Sequence, residues 1–473
     1  MNRNPKYQEI INYIKQKISN GEFPIGSKIP SQRQLAELFN VNRSTVIIAL
    51  EELAADGLIE GRMGKANFVI NNTWTLLTST SAPDWNHHVK SGSYKPSINK
   101  VQEINTLESN NNLIQLSKGE LSPEMFPIDE MKQVIGRVTE SMNAFGYEEP
   151  KGYLPLRQAL SKSLVKNGIN ANPSSILIVS GALQALQLIS VGLLKKGGNV
   201  LLEKPSYLYS LHVFQSSGIN LKGIPLDEQG LTPSAINKSM KKIDRAILYT
   251  IPCFQNPTGV LMTEKRRKEI LRTCEKYQLP IIEDDIYRDL WIEEPPPLPL
   301  KSYDRNGHVL YLSSMSKTLT PGLRIGWIVG PDSVIERLSD IKMQVDYGSS
   351  SLSQRVATEW LTSGLYNKHL MFVRNQLKIR RELVIKALKT YLSQITTWII
   401  PKGGLFIWVR INSKVSIRAI CSEALSKGIL LNPGNIYAQD SGKYLRLSYA
   451  YVSLEELEFS IYQIGHIIKK LSK

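Results

Sequence analysis

Cysteine is scarce in this chain. Cys253, Cys274 and Cys421 are its only thiols in 473 residues. Three widely spaced cysteines cannot form a disulfide framework, and they suit a reducing compartment, so a cytoplasmic protein is expected. Histidine is sparse too, six in all, with His87-His88 an isolated pair in a polar stretch. No cysteine or histidine falls at metal-ligand spacing, and no metal centre is expected. No apolar run reaches the roughly 18 residues that a membrane span needs. Met1 to Glu9 is too polar for a signal peptide. What remains is globular composition, 42% apolar and 21% charged, in a chain too long for one ordinary core. Two or three domains are expected.

The net charge of +16 invites a polyanionic partner. Residues 1–72 carry nine Lys and Arg against seven Asp and Glu, a net of only +2. Charge is therefore compatible with nucleic-acid binding without locating it.

Tyr7, Ile11, Ile14 and Ile18 fall at helical spacing, and Asn20-Gly21 ends that helix. A turn-rich link leads to Ser31, which can cap a second helix carrying Leu35, Ala36, Leu38 and Phe39. After Asn40-Val41-Asn42 a third helix starts at Arg43-Ser44-Thr45 and turns Val46, Ala49, Leu50 and Leu53 inward. Leu58 to Glu60 and Asn67 to Ile70 read as short strands. Three helices and a hairpin make a winged helix-turn-helix. Its third helix offers Arg43, Ser44 and Thr45 to DNA. Arg33 and the wing residues Arg62 and Lys65 would flank it on the phosphate backbone. The alternative from these residues alone is a protein-interaction module.

Pro24-x-Gly26-x-x-x-Pro30-Ser31-x-Arg33, Val41-Asn42-Arg43-Ser44-Thr45-Val46 and Gly57-Leu58-Ile59 resemble the GntR family of winged-helix repressors. The family's wing usually reads Gly-x-Gly-Thr-Phe-Val. Here Met63-Gly64-Lys65-Ala66-Asn67-Phe68-Val69 keeps a glycine and Phe-Val but not the Gly-Thr pair. From about residue 73 to 112 the pattern dissolves into Ser, Thr, Asn, Pro and Lys, which reads as a flexible linker.

Residues 113–473 alternate apolar runs with amphipathic helices, an α/β layered pattern with a mostly parallel sheet. Ligands in such folds gather beyond the carboxyl ends of the strands. Ser180-Gly181-Ala182 opens a helix after the run Ile176 to Val179, a weak phosphate signal. Tyr207 follows Val200 to Leu202 and could stack on a planar ring. Asn256, before Pro257-Thr258-Gly259, points an amide off a strand end. Glu283-Asp284-Asp285 ends a buried run, where a carboxylate needs a cationic partner. A protonated pyridine nitrogen would serve Asp284, and a helix cap is the alternative for Asp285. Ser314, Ser316, Lys317 and Arg324 could hold an aldehyde and a phosphate. Arg446, alone among apolar neighbours, requires an anion, either a ligand carboxylate or an internal partner.

In this order and spacing, residues 113–473 resemble the fold-type I, class I/II pyridoxal phosphate aminotransferases. The resemblance implies Lys317 as Schiff-base lysine and Asp284 as partner of the pyridine nitrogen. It implies Tyr287 and Asn256 on the phenolic oxygen and Tyr207 as the stacking aromatic. Ser314, Arg324, Gly181 and Ala182 would cradle the phosphate, and Arg446 would bind a substrate or effector carboxylate. Tyr147 would reach the phosphate of a neighbouring subunit, making the site that of a homodimer.

The fusion is similar to the MocR subfamily of bacterial regulators. It implies domains at 1–72 and 113–473 joined by 73–112. The expected function is a DNA-binding regulator acting on two half-sites. It would sense pyridoxal phosphate, an amine or an amino acid through Lys317. The alternative is a working class I/II aminotransferase with an accessory DNA-binding domain, since nothing in the residue set forbids transamination.

Overall fold

The computed structural model describes residues 5–61, 66–72, 85–92, 94, 96, 98–143 and 146–472. The chain divides into two compact units, Met1–Gly92 and Ser93–Lys473.

In the first unit, α1 (Lys6–Ser19) buries Ile10, Ile11, Ile14 and Ile18. The second helix, α2 (Gln32–Phe39), starts in a capping box: Ser31 accepts from the Gln34 backbone while the Gln34 side chain accepts from the Ser31 backbone. Asn40 closes it in the left-handed region at φ 49°, a conformation asparagine tolerates better than most residues. α3 (Arg43–Ala55) turns Val46, Ala49, Leu50 and Leu53 into the same core. β1 (Ile59–Gly61) and β2 (Asn67–Val69) pair antiparallel, with Glu60 opposite Phe68. Backbone bonds from Gly26 to Val69 and from Ile29 to Asn67 tie the link before α2 onto this hairpin. This is the expected winged helix. Of the apolar residues that α2 carries, Leu38 is exposed.

The second unit opens with a helix at Asn99–Leu107, inside the stretch that composition reads as linker. Its Val101 and Ile104 are buried against Ile436 and Tyr437. The short strand β3 (Ile114–Gln115) follows. The large sheet comprises β4 (Ile176–Val179), β5 (Asn199–Lys204), β6 (Asn220–Asp227), β7 (Gly230–Leu231), β8 (Ala246–Thr250), β9 (Ile281–Asp284), β10 (Val309–Ser314) and β11 (Gly326–Val329). Their spatial order is β4-β11-β10-β9-β8-β5-β6-β7. Strands β6, β5, β8, β9 and β10 run parallel. Strand β11 is antiparallel to both β10 and β4, which leaves those two strands pointing the same way. Every residue of β4, β9, β10 and β11 is buried, as expected of strands covered on both faces. The carboxyl ends of β4, β5, β8, β9 and β10 therefore lie on one edge.

The smaller sheet is built from β12 (Thr396–Trp398), β13 (Phe406–Ile411), β15 (Asn432–Pro433) and β16 (Tyr444–Ser448), in the order β12-β13-β16-β15, all antiparallel. β14 (Ile429–Leu430) pairs parallel with β3. The long helix Leu365–Leu392 packs against the final helix, Leu454–Leu471. Among the described residues no helix is long and apolar enough to cross a membrane.

Candidate functional site

A cavity of about 400 Å³ opens at the carboxyl edge of the large sheet. Asp284, Ser314, Lys317, Arg324, Tyr207, Asn256, Tyr287, Ala182 and Arg446 all line it. These residues come from five strand ends and the smaller sheet, so the fold converges what the sequence scatters over some 260 positions.

Lys317 lies just beyond the end of β10, and its Nζ donates to the Gly119 carbonyl at 2.7 Å. Burial lowers its pKa, opposed by the carboxylate of Glu120 and assisted by Arg446. The neutral amine this favours is the form that attacks a carbonyl. Asp284, the last residue of β9, accepts from Tyr249 Oη at 2.7 Å. Burial pushes its carboxyl up to about 6. Alternation along the strand separates Asp284 from Glu283 and Asp285. Glu283 faces Arg267 at 3.5 Å and accepts from the backbone of Leu300 and Lys301. Asp285 pairs with Arg288. Asp284 alone among the three carboxyls faces the cavity.

Asn256 connects two members of the set. Its Nδ2 donates to Tyr287 Oη at 3.1 Å, and its Oδ1 accepts from Arg446 Nη1 at 3.1 Å. The turn bearing it is held by buried Glu203, which accepts from Thr250 Oγ1, the Ile251 backbone and Gln255 Nε2. Burial pushes the Glu203 carboxyl up to about 7. Arg446 sits on the Phe406 ring, 4.0 Å from its centroid, and 5.2 Å from that of Tyr437. Its Nη2 donates to the Ser117 carbonyl.

Arg324, at φ 55°, donates from Nη2 to the Ser180 carbonyl at 2.7 Å. Gly181 precedes the helix Ala182–Gly192 at φ 90°. A Cβ there would lie 2.6 Å from Arg324 Nη2, so only glycine allows this approach. Ser314 Oγ lies 2.8 Å from the Ile325 carbonyl, across the turn that carries Lys317, and 2.9 Å from Ser316 Oγ. Tyr147 does not line the cavity. It is 83% exposed, and its ring meets Tyr347 at 4.9 Å.

The residues present fit pyridoxal phosphate on two observations. Asp284 is a buried carboxylate strained toward protonation that a cationic ring nitrogen would relieve. The Gly181–Arg324 approach leaves a cradle at a helix N-terminus that a side chain would fill. Sequence reasoning missed Ser117, Gly119, Glu108, Tyr249 and Tyr437, because their roles come from long-range packing and no local signal marks them.

On α3, Arg43 and Ser44 are exposed and Thr45 is half-buried. Arg33 forms an exposed pair with Glu37 at 3.0 Å. Arg62 and Lys65 lie outside the described residues. Among those described, no group of three or more His, Cys, Asp or Glu could hold a metal ion.

The fold and cavity define a winged helix joined to a fold-type I aminotransferase domain. The family model for aminotransferase class I and II matches residues 111–462, and that for bacterial regulatory proteins of the gntR family matches residues 6–69. The chain belongs to the class I and II aminotransferase family, with a GntR winged helix at its N-terminus, a fusion of the MocR type. It is 64% identical to the uncharacterized HTH-type transcriptional regulator YdfD of Bacillus subtilis, over 100% of this chain and 98% of that one. It is 37% identical to the HTH-type transcriptional regulator NorG of Staphylococcus aureus, over 94% and 100%. Among solved structures it is similar to the kynurenine aminotransferase of Pyrococcus horikoshii, with TM-score 0.75, 31% identity and coverage of 80% and 96%. The multiple substrate aminotransferase of Thermococcus profundus matches with TM-score 0.77, 28% identity and coverage of 82% and 99%.

Proposed function

We propose that this chain is a cytoplasmic, pyridoxal phosphate-dependent transcription regulator. Its aminotransferase-like domain, 113–473, senses the cofactor, an amine or an amino acid at Lys317. Residues 1–72 bind an operator of two half-sites as part of a homodimer, and 73–112 link the two. The observation that carries the reading is the convergence of Lys317, Asp284, Asn256, Tyr287 and Arg446 on one cavity in a chain that also bears a winged helix. The printed names of its relatives, transcriptional regulators, support it.

Pyridoxal phosphate, when bound, supplies an aldehyde that condenses with primary amines, conjugated to an electron-withdrawing ring. Lys317 would hold the aldehyde carbon and Asp284 the ring nitrogen. Asn256 and Tyr287 would bind the phenolic oxygen, and Tyr207 would stack on the ring. Arg324, Ser314 and the backbone at Gly181 and Ala182 would take the phosphate, with Tyr147 contributed across the dimer. Arg446 would select ligands that carry a carboxylate. A ligand that favours one arrangement of the second unit shifts the population presented to DNA, and no turnover is required.

The test is a titration of the full-length protein with pyridoxal phosphate, amines and amino acids. It is followed by cofactor absorbance and by affinity for duplex DNA selected by the protein from a random library. Lys317→Ala is expected to abolish both the cofactor absorbance and the ligand response on DNA. Arg43→Ala is expected to weaken DNA binding and leave the absorbance intact. A DNA response surviving Lys317→Ala refutes the sensing role of this lysine. The complete residue set also favours a second reading, an active aminotransferase. Sustained keto-acid formation at the roughly 1–10³ per second of ordinary enzymes would establish it over the sensor.

A further inference from the structure

A regulator whose ligand binds in the second unit needs a path from the cavity to the chain that tethers the first. We infer that Glu108 and Ser117 relay the occupancy of Arg446 to the helix Asn99–Leu107, so that carboxylate-bearing amines, and not simple amines, are the effector class. The inference rests on the regulator reading and deepens it.

Arg446 is buried, and its two terminal nitrogens are already committed, Nη1 to Asn256 Oδ1 at 3.1 Å and Nη2 to the carbonyl of Ser117. Its Nε has no hydrogen-bond partner among the described residues. A carboxylate seeks the two-pronged face of a guanidinium and is a stronger acceptor than a neutral carbonyl. A carboxylate entering here therefore competes with Ser117 for Arg446. Ser117 is tied at its other end: its hydroxyl donates to Glu108 Oε1 at 2.6 Å. Glu108 is the C-cap of the helix Asn99–Leu107 and lines the cavity with Asn105.

That helix is lightly held. Its two buried side chains, Val101 and Ile104, sit in a small cluster of their own with Ile436 and Tyr437. Tyr437 is also one of the rings beside Arg446. Both routes out of Arg446, through Ser117 and through Tyr437, therefore end on the same helix. An element with few buried contacts is displaced at low cost. The helix begins at Asn99, shortly after Gly92, where the N-terminal unit ends. A shift of its register or order alters the stretch of chain from which the winged helix is tethered. A simple amine reacts at Lys317 without touching Arg446 and leaves Ser117 in place.

The experiment uses full-length protein loaded with pyridoxal phosphate and matched pairs of L-alanine with ethylamine, L-leucine with 3-methylbutylamine, and L-phenylalanine with 2-phenylethylamine. Cofactor absorbance reports reaction at Lys317. Affinity for duplex DNA selected by the protein from a random library reports the response. Both members of a pair are expected to change the absorbance. An amino acid is expected to shift DNA affinity by about 5- to 150-fold, the range of ordinary coupled sites, and its amine is not. Ser117→Ala keeps the main-chain carbonyl on Arg446 and cuts only the hydroxyl link, and Glu108→Gln weakens the same link from the other side. Both variants are expected to keep the absorbance change with amino acids and to lose most of the DNA shift, with Glu108→Asp restoring part of it. Equal DNA shifts from amines and amino acids overturn the inference, as does an undiminished shift in both Ser117→Ala and Glu108→Gln. If no compound moves wild-type DNA affinity, the regulator reading itself fails.

Discussion

Asp284 carries a cost in the absence of a cationic partner. Burial moves its carboxyl from an ordinary value near 3.8 to about 6, which corresponds to about 3 kcal/mol at neutral pH. Because the folded form holds the proton more tightly, stability is lost as pH rises from about 3.8 through 6, and the loss is complete above that. Asp284→Asn removes this charge. The cofactor-depleted variant is expected to melt above the depleted wild type at pH 7.5 and level with it at pH 3.5, while binding pyridoxal phosphate more weakly. Thermal denaturation at both pH values checks the sign; a melting difference independent of pH would refute it. Comparison with wild type matters because burial also pushes Glu203 and Glu283 to about 7. Asp284 was legible in the sequence because carboxylates at the end of an apolar run demand partners. The choice of Asp284 among the three consecutive acids came from the aminotransferase resemblance, and the arginines that take Glu283 and Asp285 emerged only from the fold.

At the scale of elements, the strand ends were the most legible part of the chain. Ile176–Val179 matches its apolar run residue for residue, and β5 extends the run Val200 to Leu202 by one residue before it and two after. A fully buried strand is marked by its own composition. Strand β6, between β5 and the two-residue edge strand β7, was not, because its residues are largely exposed and lack a clean alternation. The helix Asn99–Leu107 was read as linker for a related reason: its apolar pair is completed by Ile436 and Tyr437, far away in sequence. Gly181 belongs at this scale, since it sets how the helix Ala182–Gly192 meets Arg324. Gly181→Ala places a methyl group 2.6 Å from Arg324 Nη2 and forces alanine to φ 90°. The backbone cost is about 1–3 kcal/mol. Lower thermal stability is expected together with weaker pyridoxal phosphate retention, since Arg324 must leave the cradle. Retention measured by dialysis and absorbance should fall even at temperatures where the variant remains folded. Unchanged retention would remove Arg324 from the phosphate site.

At the scale of the whole molecule, a shared site would join two copies of the chain. Tyr147, proposed to reach the phosphate of a neighbouring subunit, stands 83% exposed beside Tyr347, with Val345 also exposed nearby in sequence. Exposed apolar groups gathered in one patch are a feature of interaction surfaces. If the site is shared between two copies, Lys317 of one chain and Tyr147 of the other serve the same cofactor. Lys317→Ala chains cannot hold the aldehyde, and Tyr147→Ala chains hold the phosphate weakly. Mixed dimers then contain one site with both residues intact and one with neither. At a pyridoxal phosphate concentration that leaves each variant alone nearly colourless, mixing after mild dissociation is expected to restore absorbance toward one site per mixed dimer. The same preparation should recover amino acid-dependent DNA binding in proportion. Absorbance that remains the plain average of the two parents would mean that each chain builds its site alone. The exposed Tyr147–Tyr347 pair would then need another occupant.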